Sequence, residues 1–204
     1  MSYRNKRKNY MVLGCILTGL LSQACDSAVE NELGRLRVQG QEIVNDQGPF
    51  LIKSIGTGNW MIQEGYMMQS TDAGIGTHTQ FRTKLEQEIG EERTAEFYQD
   101  WLDNHMTKAD LDSMKAWGFN AIRPALHYKW FTLPIQDESV SGQHTWVNAG
   151  FEKLDELMEW AASNQMYVMF DMHGAPGGQG KNSNINDYDE NLPSLFEDEA
   201  NKEK

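Results

Sequence analysis

Asp171 and His173 stand two residues apart where the apolar run MYVMF (166–170) stops. Arg123 lies in the apolar run before that one and is followed by His127, and Trp60 and Glu64 come just after the first such run. Runs of that length and composition read as buried strands, so three successive strands end in polar residues. In parallel α/β sheets, and in (β/α)8 barrels above all, chemistry collects at the carboxyl ends of the strands. Arg123, His173, Glu64, Trp60 and His127 are therefore the candidate functional residues. Asp171 is read as orienting its neighbours, and Trp130 as a further aromatic contact. Asp171, His173 and His127 are of metal-binding types, but nothing in their spacing fixes a coordination geometry. No metal or other cofactor is expected.

The loop APGGQGK (175–181) comes within two substitutions of the phosphate-binding pattern G-x-x-x-x-G-K-[ST]. Such a loop needs a helix starting at its Lys, because the helix N-terminus and the loop amides hold the phosphates together. Lys181 is followed instead by NSNINDYDENLPS, which has no apolar stripe and is stopped by Pro193. A calcium loop fares no better: Asp187 stands where the sixth position wants Gly, and Pro193 where the twelfth wants Glu. Both readings are set aside.

The elements that must position these residues follow a simple grammar. Alternating apolar and polar residues around NDQG (45–48) predict a β-hairpin leading into a first strand near 50–56. Helical patterns follow at 79–89 and 94–105. A third begins at Thr107, where Thr107 and Asp110 are spaced as a capping pair, Leu111, Met114 and Trp117 make the stripe, and Gly118 ends it. The strand FNAIRPAL (119–126) comes next. Phe151, Leu154, Leu157, Met158 and Ala161 then share one helix face before the strand MYVMFD (166–171). Strand, helix, strand, helix, strand is the pattern of a parallel sheet.

The 204 residues are 39% hydrophobic and 24% charged, a globular composition. The start reads as an address. Arg4, Lys6, Arg7 and Lys8 precede YMVLGCILTGLL, which SQAC ends at Cys25, the layout of a secretory signal. LLSQAC also resembles a bacterial lipoprotein signal, which makes Cys25 a candidate for lipidation, with ordinary secretion as the alternative. Cys15 would leave with the leader, so no pair remains for an internal disulfide. Beyond Cys25 the chain holds 14 basic against 30 acidic residues, a balance of −16. That surface repels phosphate backbones, so no nucleic-acid partner is expected and a neutral substrate fits better.

The stretches GTGNWMIQEGYM, MKAWGFNAIRPALHY and YVMFDMHGAPGGQG resemble the first, second and third strand motifs of glycoside hydrolase family 5, especially its cellulase-like and exo-1,3-glucanase-like branches. The resemblance covers roughly residues 36–196. It implies a partial (β/α)8 TIM barrel of about three βα units after a β-hairpin, and a retaining enzyme cleaving O-glycosidic bonds of a β-glucan or related polysaccharide. Arg123 matches the Arg that holds the nucleophile ionised, His173 the His lining the cleavage subsite, and Glu64 a carboxylate that accepts from sugar hydroxyls. The family's acid/base Glu sits in an Asn-Glu-Pro motif, which does not occur here. The expected organisation is a leader at 1–24, a linker at 25–35 and the N-terminal portion of a catalytic domain at 36–204, inactive alone. The expected protein is exported and touches the membrane only through a lipid anchor. The alternative function is a surface lipoprotein that binds glycans or partners without catalysis. Cellulose, β-1,3-glucan and mannan stay open as substrates.

Overall fold

The computed structural model of the protein describes residues 33–204. The expected leader at 1–24, Cys15, Cys25 and most of the expected 25–35 linker lie outside the described residues.

Strands β1 (Arg37–Gln39), β2 (Glu42–Asn45) and β3 (Gly48–Pro49) form an antiparallel meander in that order. The predicted hairpin at 45–48 is its second turn, in which Asn45 pairs with Gly48 and the Asn45 side chain accepts the Gln47 N–H at 2.9 Å. A first turn at Gly40, whose φ of 64° is in the left-handed region open to glycine, joins β1 to β2.

The parallel sheet consists of β4 (Ser54–Thr57), β5 (Ala121–His127), β6 (Tyr167–Val168) and β7 (Asp171–Gly174). β5 is the common partner: β4, β6 and β7 each pair with it in parallel. β6 and β7 stand in place of the single predicted strand at 166–171. They part at Met169 and Phe170, although the Met169 N–H still reaches the Ile122 carbonyl at 2.9 Å.

Parallel neighbours need a long crossover. Helices α1 (His78–Ile89), α2 (Glu91–Asn104) and α3 (Lys108–Ala116) link β4 to β5, and α4 (Asn148–Ser163) links β5 to β6. One-turn helices α5 (Ser183–Asn186) and α6 (Glu199–Glu203) follow β7. The start of α3 is as predicted: the Thr107 N–H and hydroxyl both donate to Asp110 at 2.8 Å. α1 has a capping box of its own, with Gln80 N–H donating to Thr77 Oγ1 at 3.1 Å and Thr77 N–H to Gln80 Oε1 at 3.3 Å.

The core lies where these helices cover the sheet, around Trp60, Met61, Leu102, Leu111, Ile122 and Leu157. The helical stripes are narrower than predicted. In α3, Leu111 is fully buried, whereas Trp117 lies past the last helical residue and is 71% exposed. In α4, Leu157 and Ala161 are buried, but Phe151 and Met158 face largely outward. Among the described residues no helix is long and apolar enough to cross a membrane.

Candidate active site

Arg123 sits in the middle of β5, opposite Gly56 of β4. The pleat sends Ile122 into the core and Arg123 to the other face, where its side chain is half-exposed. Asp171 opens β7 opposite Ala125. Its Oδ2 accepts from Arg123 Nη2 at 2.5 Å and from His173 Nδ1 at 2.8 Å. A carboxylate only accepts, so His173 carries its proton on Nδ1 and presents Nε2 outward.

The register explains why His173 can do this. Leu126 faces Met172, but His127 faces Gly174, which leaves His173 as the extra residue of a bulge. Bulges re-aim the side chain they carry, and here Nε2 ends 3.8 Å from Glu64 Oε1. Gln179 clamps the same segment: its side-chain amide donates to the His173 carbonyl at 2.5 Å, and its Oε1 accepts the Ala175 N–H at 3.2 Å.

Glu64 arrives from the loop after β4. Asn59, at φ 62°, accepts the Glu64 N–H through its side chain at 3.0 Å, and the Glu64 carbonyl accepts from Met67 and Met68. Burial pushes the Glu64 carboxyl above the ordinary carboxylate value; the nearby His173 works against this and Asp171 adds to it.

Arg123, Asp171, His173 and Glu64 thus form one row drawn from three chain segments, β5, β7 and the loop after β4. Arg123 spends one Nη on Asp171 and keeps further N–H groups for a second carboxylate. His173 Nε2 and Glu64 Oε1 lie close enough for one hydroxyl group to reach both. The row sets the donors of Arg123 beside the acceptors of Asp171 and Glu64 and the imidazole of His173, which suits a ligand rich in hydroxyls.

The model of the family described as Cellulase (glycosyl hydrolase family 5) matches residues 76–202, more than half of the chain. The chain belongs to glycosyl hydrolase family 5. The "Beta-xylosidase" of Phanerodontia chrysosporium is 29% identical over 145 residues, covering 71% of this chain and 28% of that protein. The "Probable glucan 1,3-beta-glucosidase A" of Aspergillus niger is 29% identical over 162 residues, 78% of this chain and 37% of that one. The "Glucan 1,3-beta-glucosidase" of Candida oleophila is 30% identical over 148 residues, 67% and 32% of the two. The chain therefore spans about a third of the length of the curated relatives it matches. The crystal structure of rutinosidase from Aspergillus niger is similar with a TM-score of 0.50 at 21% identity, over 66% of this chain and 36% of that one, a likeness of fold.

Three residues proposed from the sequence lie outside the row in this family 5 chain. Trp60 is 1% exposed, packs in the core and donates its indole N–H to the Leu102 carbonyl at 3.0 Å. Leu102 belongs to α2, so the Trp60 indole meets a helix and not the row. Trp130 likewise gives its N–H to the Met61 carbonyl at 2.6 Å. His127 is buried against Gly174, where a Cβ would come within 2.6 Å of its ring, and its Nε2 meets Asp187 at 2.9 Å. Asp171, His173 and His127 do not converge as a metal site, and among the described residues no group of three or more His, Cys, Asp or Glu could hold a metal ion.

Two residues went unnoticed in the sequence. In the sequence Gln179 reads only as part of a glycine-rich loop, and Asp187 only as a failed calcium position. A cavity of about 750 Å³, lined among others by Tyr128, Lys129, Lys181 and Pro193, has none of the row in its walls.

Proposed function

We propose that the complete protein is a retaining glycosidase that hydrolyses O-glycosidic bonds of a β-glucan or related polysaccharide. In this reading Arg123, Asp171, His173 and Glu64 form the sugar-holding part of its cleavage subsite. The observation that carries the reading is the continuous row from Arg123 on β5 through Asp171 and His173 on β7 to Glu64 in the loop after β4 of a family 5 chain. The glucan 1,3-beta-glucosidases and the beta-xylosidase among its relatives support a β-linked glycan as substrate.

Each residue then has a defined task. Asp171 holds the Arg123 guanidinium and the His173 ring in one orientation. Arg123 offers its remaining N–H groups to the nucleophilic carboxylate and keeps it ionised. His173 Nε2 and Glu64 face the sugar hydroxyls, with the Glu64 carboxylate accepting from them. Retention needs two further carboxyl groups about 5–5.5 Å apart, one to protonate the leaving oxygen and one to attack the anomeric carbon. We look for both outside these 204 residues, in the remaining strands of a (β/α)8 barrel of which three βα units are carried here. The 1–24 leader and Cys25 support export, with a lipid anchor.

The test is hydrolysis of β-1,3-glucan, cellulose and mannan oligosaccharides by the complete protein, with the anomer of the first product read by NMR. Retained configuration on one of them is the expected result. Inversion, or no release from any of them, contradicts the reading. Turnover by the 204 residues alone would move the catalytic carboxylates into this chain.

A further inference from the structure

Beneath the row lies a second polar cluster that the proposed chemistry does not use. His78, at the start of α1, and His127, at the end of β5, are both buried and stack face to face with ring centroids 4.7 Å apart. Each end of this stack touches one half of the site. His78 Nδ1 accepts the N–H of Gln63, the residue before Glu64, at 3.2 Å. The His127 ring lies against Gly174, the residue after His173, so closely that a Cβ there would meet it at 2.6 Å. Asp187 closes the cluster from the loop beyond β7. Its carboxylate accepts from His127 Nε2 at 2.9 Å, from Thr79 N at 2.8 Å, from Thr79 Oγ1 at 2.5 Å and from Lys129 Nζ at 3.4 Å.

The hydrogen bonds fix the protons. A backbone N–H can only donate, so His78 Nδ1 is an acceptor and the ring carries its proton on Nε2. The Lys129 N–H donates to His127 Nδ1 at 3.2 Å, and Asp187 needs a donor on Nε2, so His127 is the same tautomer. A second proton on either ring would set one N–H against another. It would also charge one of two stacked, buried rings.

The titratable groups facing the pair are Arg82 on α1, Tyr98 on α2, Tyr128 and Lys129 after β5, and Asp187. Burial lowers both imidazoles below the ordinary value, His78 well below it, with Asp187 pulling the other way in each. Burial alone would raise the Asp187 carboxyl, but the His127 hydrogen bond, with Lys129 and Thr79, brings it well below the carboxylate range.

We infer that His78, His127 and Asp187 form a buried positioning unit that sets the gap between Glu64 and His173, and that it stands only while both rings are neutral Nε2–H tautomers. The three do not touch substrate; they act through Gln63 and Gly174. The link to sugar binding rests on the glycosidase reading, whereas the tautomers and the gap do not.

The experiment is NMR of the complete protein with 15N-labelled histidine and 13C-labelled carboxyls. Expected at neutral pH are Nε2–H neutral tautomers for His78 and His127. His78→Leu, which removes the acceptor for Gln63, should move the His173 ring and Glu64 carboxyl resonances, and His78→Asn, whose amide oxygen can replace Nδ1, should restore them. The same pair read by kinetics should give a loss of kcat/KM of about 10- to 10²-fold and its recovery, the scale of a small misplacement at a reacting centre. An Nδ1–H tautomer or an imidazolium in either ring overturns the proposal, and this holds even where His78→Leu fails to fold. Unmoved His173 and Glu64 signals in a folded His78→Leu protein overturn it too. A complete protein that hydrolyses no glycan but shows the tautomers and the shifts contradicts the glycosidase reading and leaves this one standing.

Discussion

The fold contains two His–Asp pairs built from the same side chains in opposite surroundings. His173 and Asp171 meet at 2.8 Å with about a fifth of each side chain exposed, while His127 and Asp187 meet at 2.9 Å with 1% and 4% exposed. Asp171 shares one oxygen between Arg123 and His173, and both partners keep donors or lone pairs pointing outward. Asp187 is enclosed by donors of the protein itself: Thr79 twice, His127 and Lys129. The first pair is open to a ligand and the second holds three chain segments together. Residue type does not separate an open pair from an enclosed one; the number of donors supplied from within the chain does.

The largest effect expected from this contrast is on stability. Asp187→Ala leaves buried donors unpaired and should cost about 3–5 kcal/mol, whereas Asp171→Ala, at a partly exposed ion pair, should cost about 1 kcal/mol or less. Urea unfolding of the two variants checks this, and equal costs would erase the distinction. Turnover should show the reverse order. Arg123→Lys keeps the charge but loses the two-pronged geometry, so kcat/KM of the complete protein should fall about 10²-fold, with stability within about 0.5 kcal/mol of wild type. A Lys variant with wild-type kinetics breaks the assignment of that residue.

A smaller effect concerns pH. His78 and His127 have lowered pKa values in the folded protein, so the unfolded chain binds more protons once the pH drops below the ordinary imidazole value of about 6.5. Their contribution is complete above that pH and is lost as the pH falls below it. Asp187 adds to the loss only below its unfolded value of about 3.9. Denaturation midpoints measured across that range should fall with acid in wild type and fall less in His127→Asn. A flat profile in wild type would mean that the buried pair is not held neutral.

Much of this was legible in the sequence because the signals are local. Thr107 and Asp110 three residues apart specify a helix start, and the apolar runs that hold Arg123 and that stop at Asp171 specify strands carrying polar residues. The motif around His173 added the family. What could not be read depends on distant partners. Trp60 looks like a sugar platform until Leu102, 42 residues on, takes its N–H. His127 looks like a site residue until Asp187, 60 residues away, claims it. The bulge that turns His173 toward Glu64 exists only in the pairing of β7 with β5, and the break at Met169 and Phe170 leaves no mark on an unbroken apolar run.

The most direct measurement is kcat/KM of the complete protein and of its His173→Ala variant on a soluble β-1,3-glucan oligosaccharide, with thermal unfolding of both recorded alongside. If the row from Arg123 to Glu64 holds the sugar, kcat/KM falls about 10²-fold or more while stability stays within about 0.5 kcal/mol. Undiminished kcat/KM in the folded variant would contradict a sugar-binding role for the row.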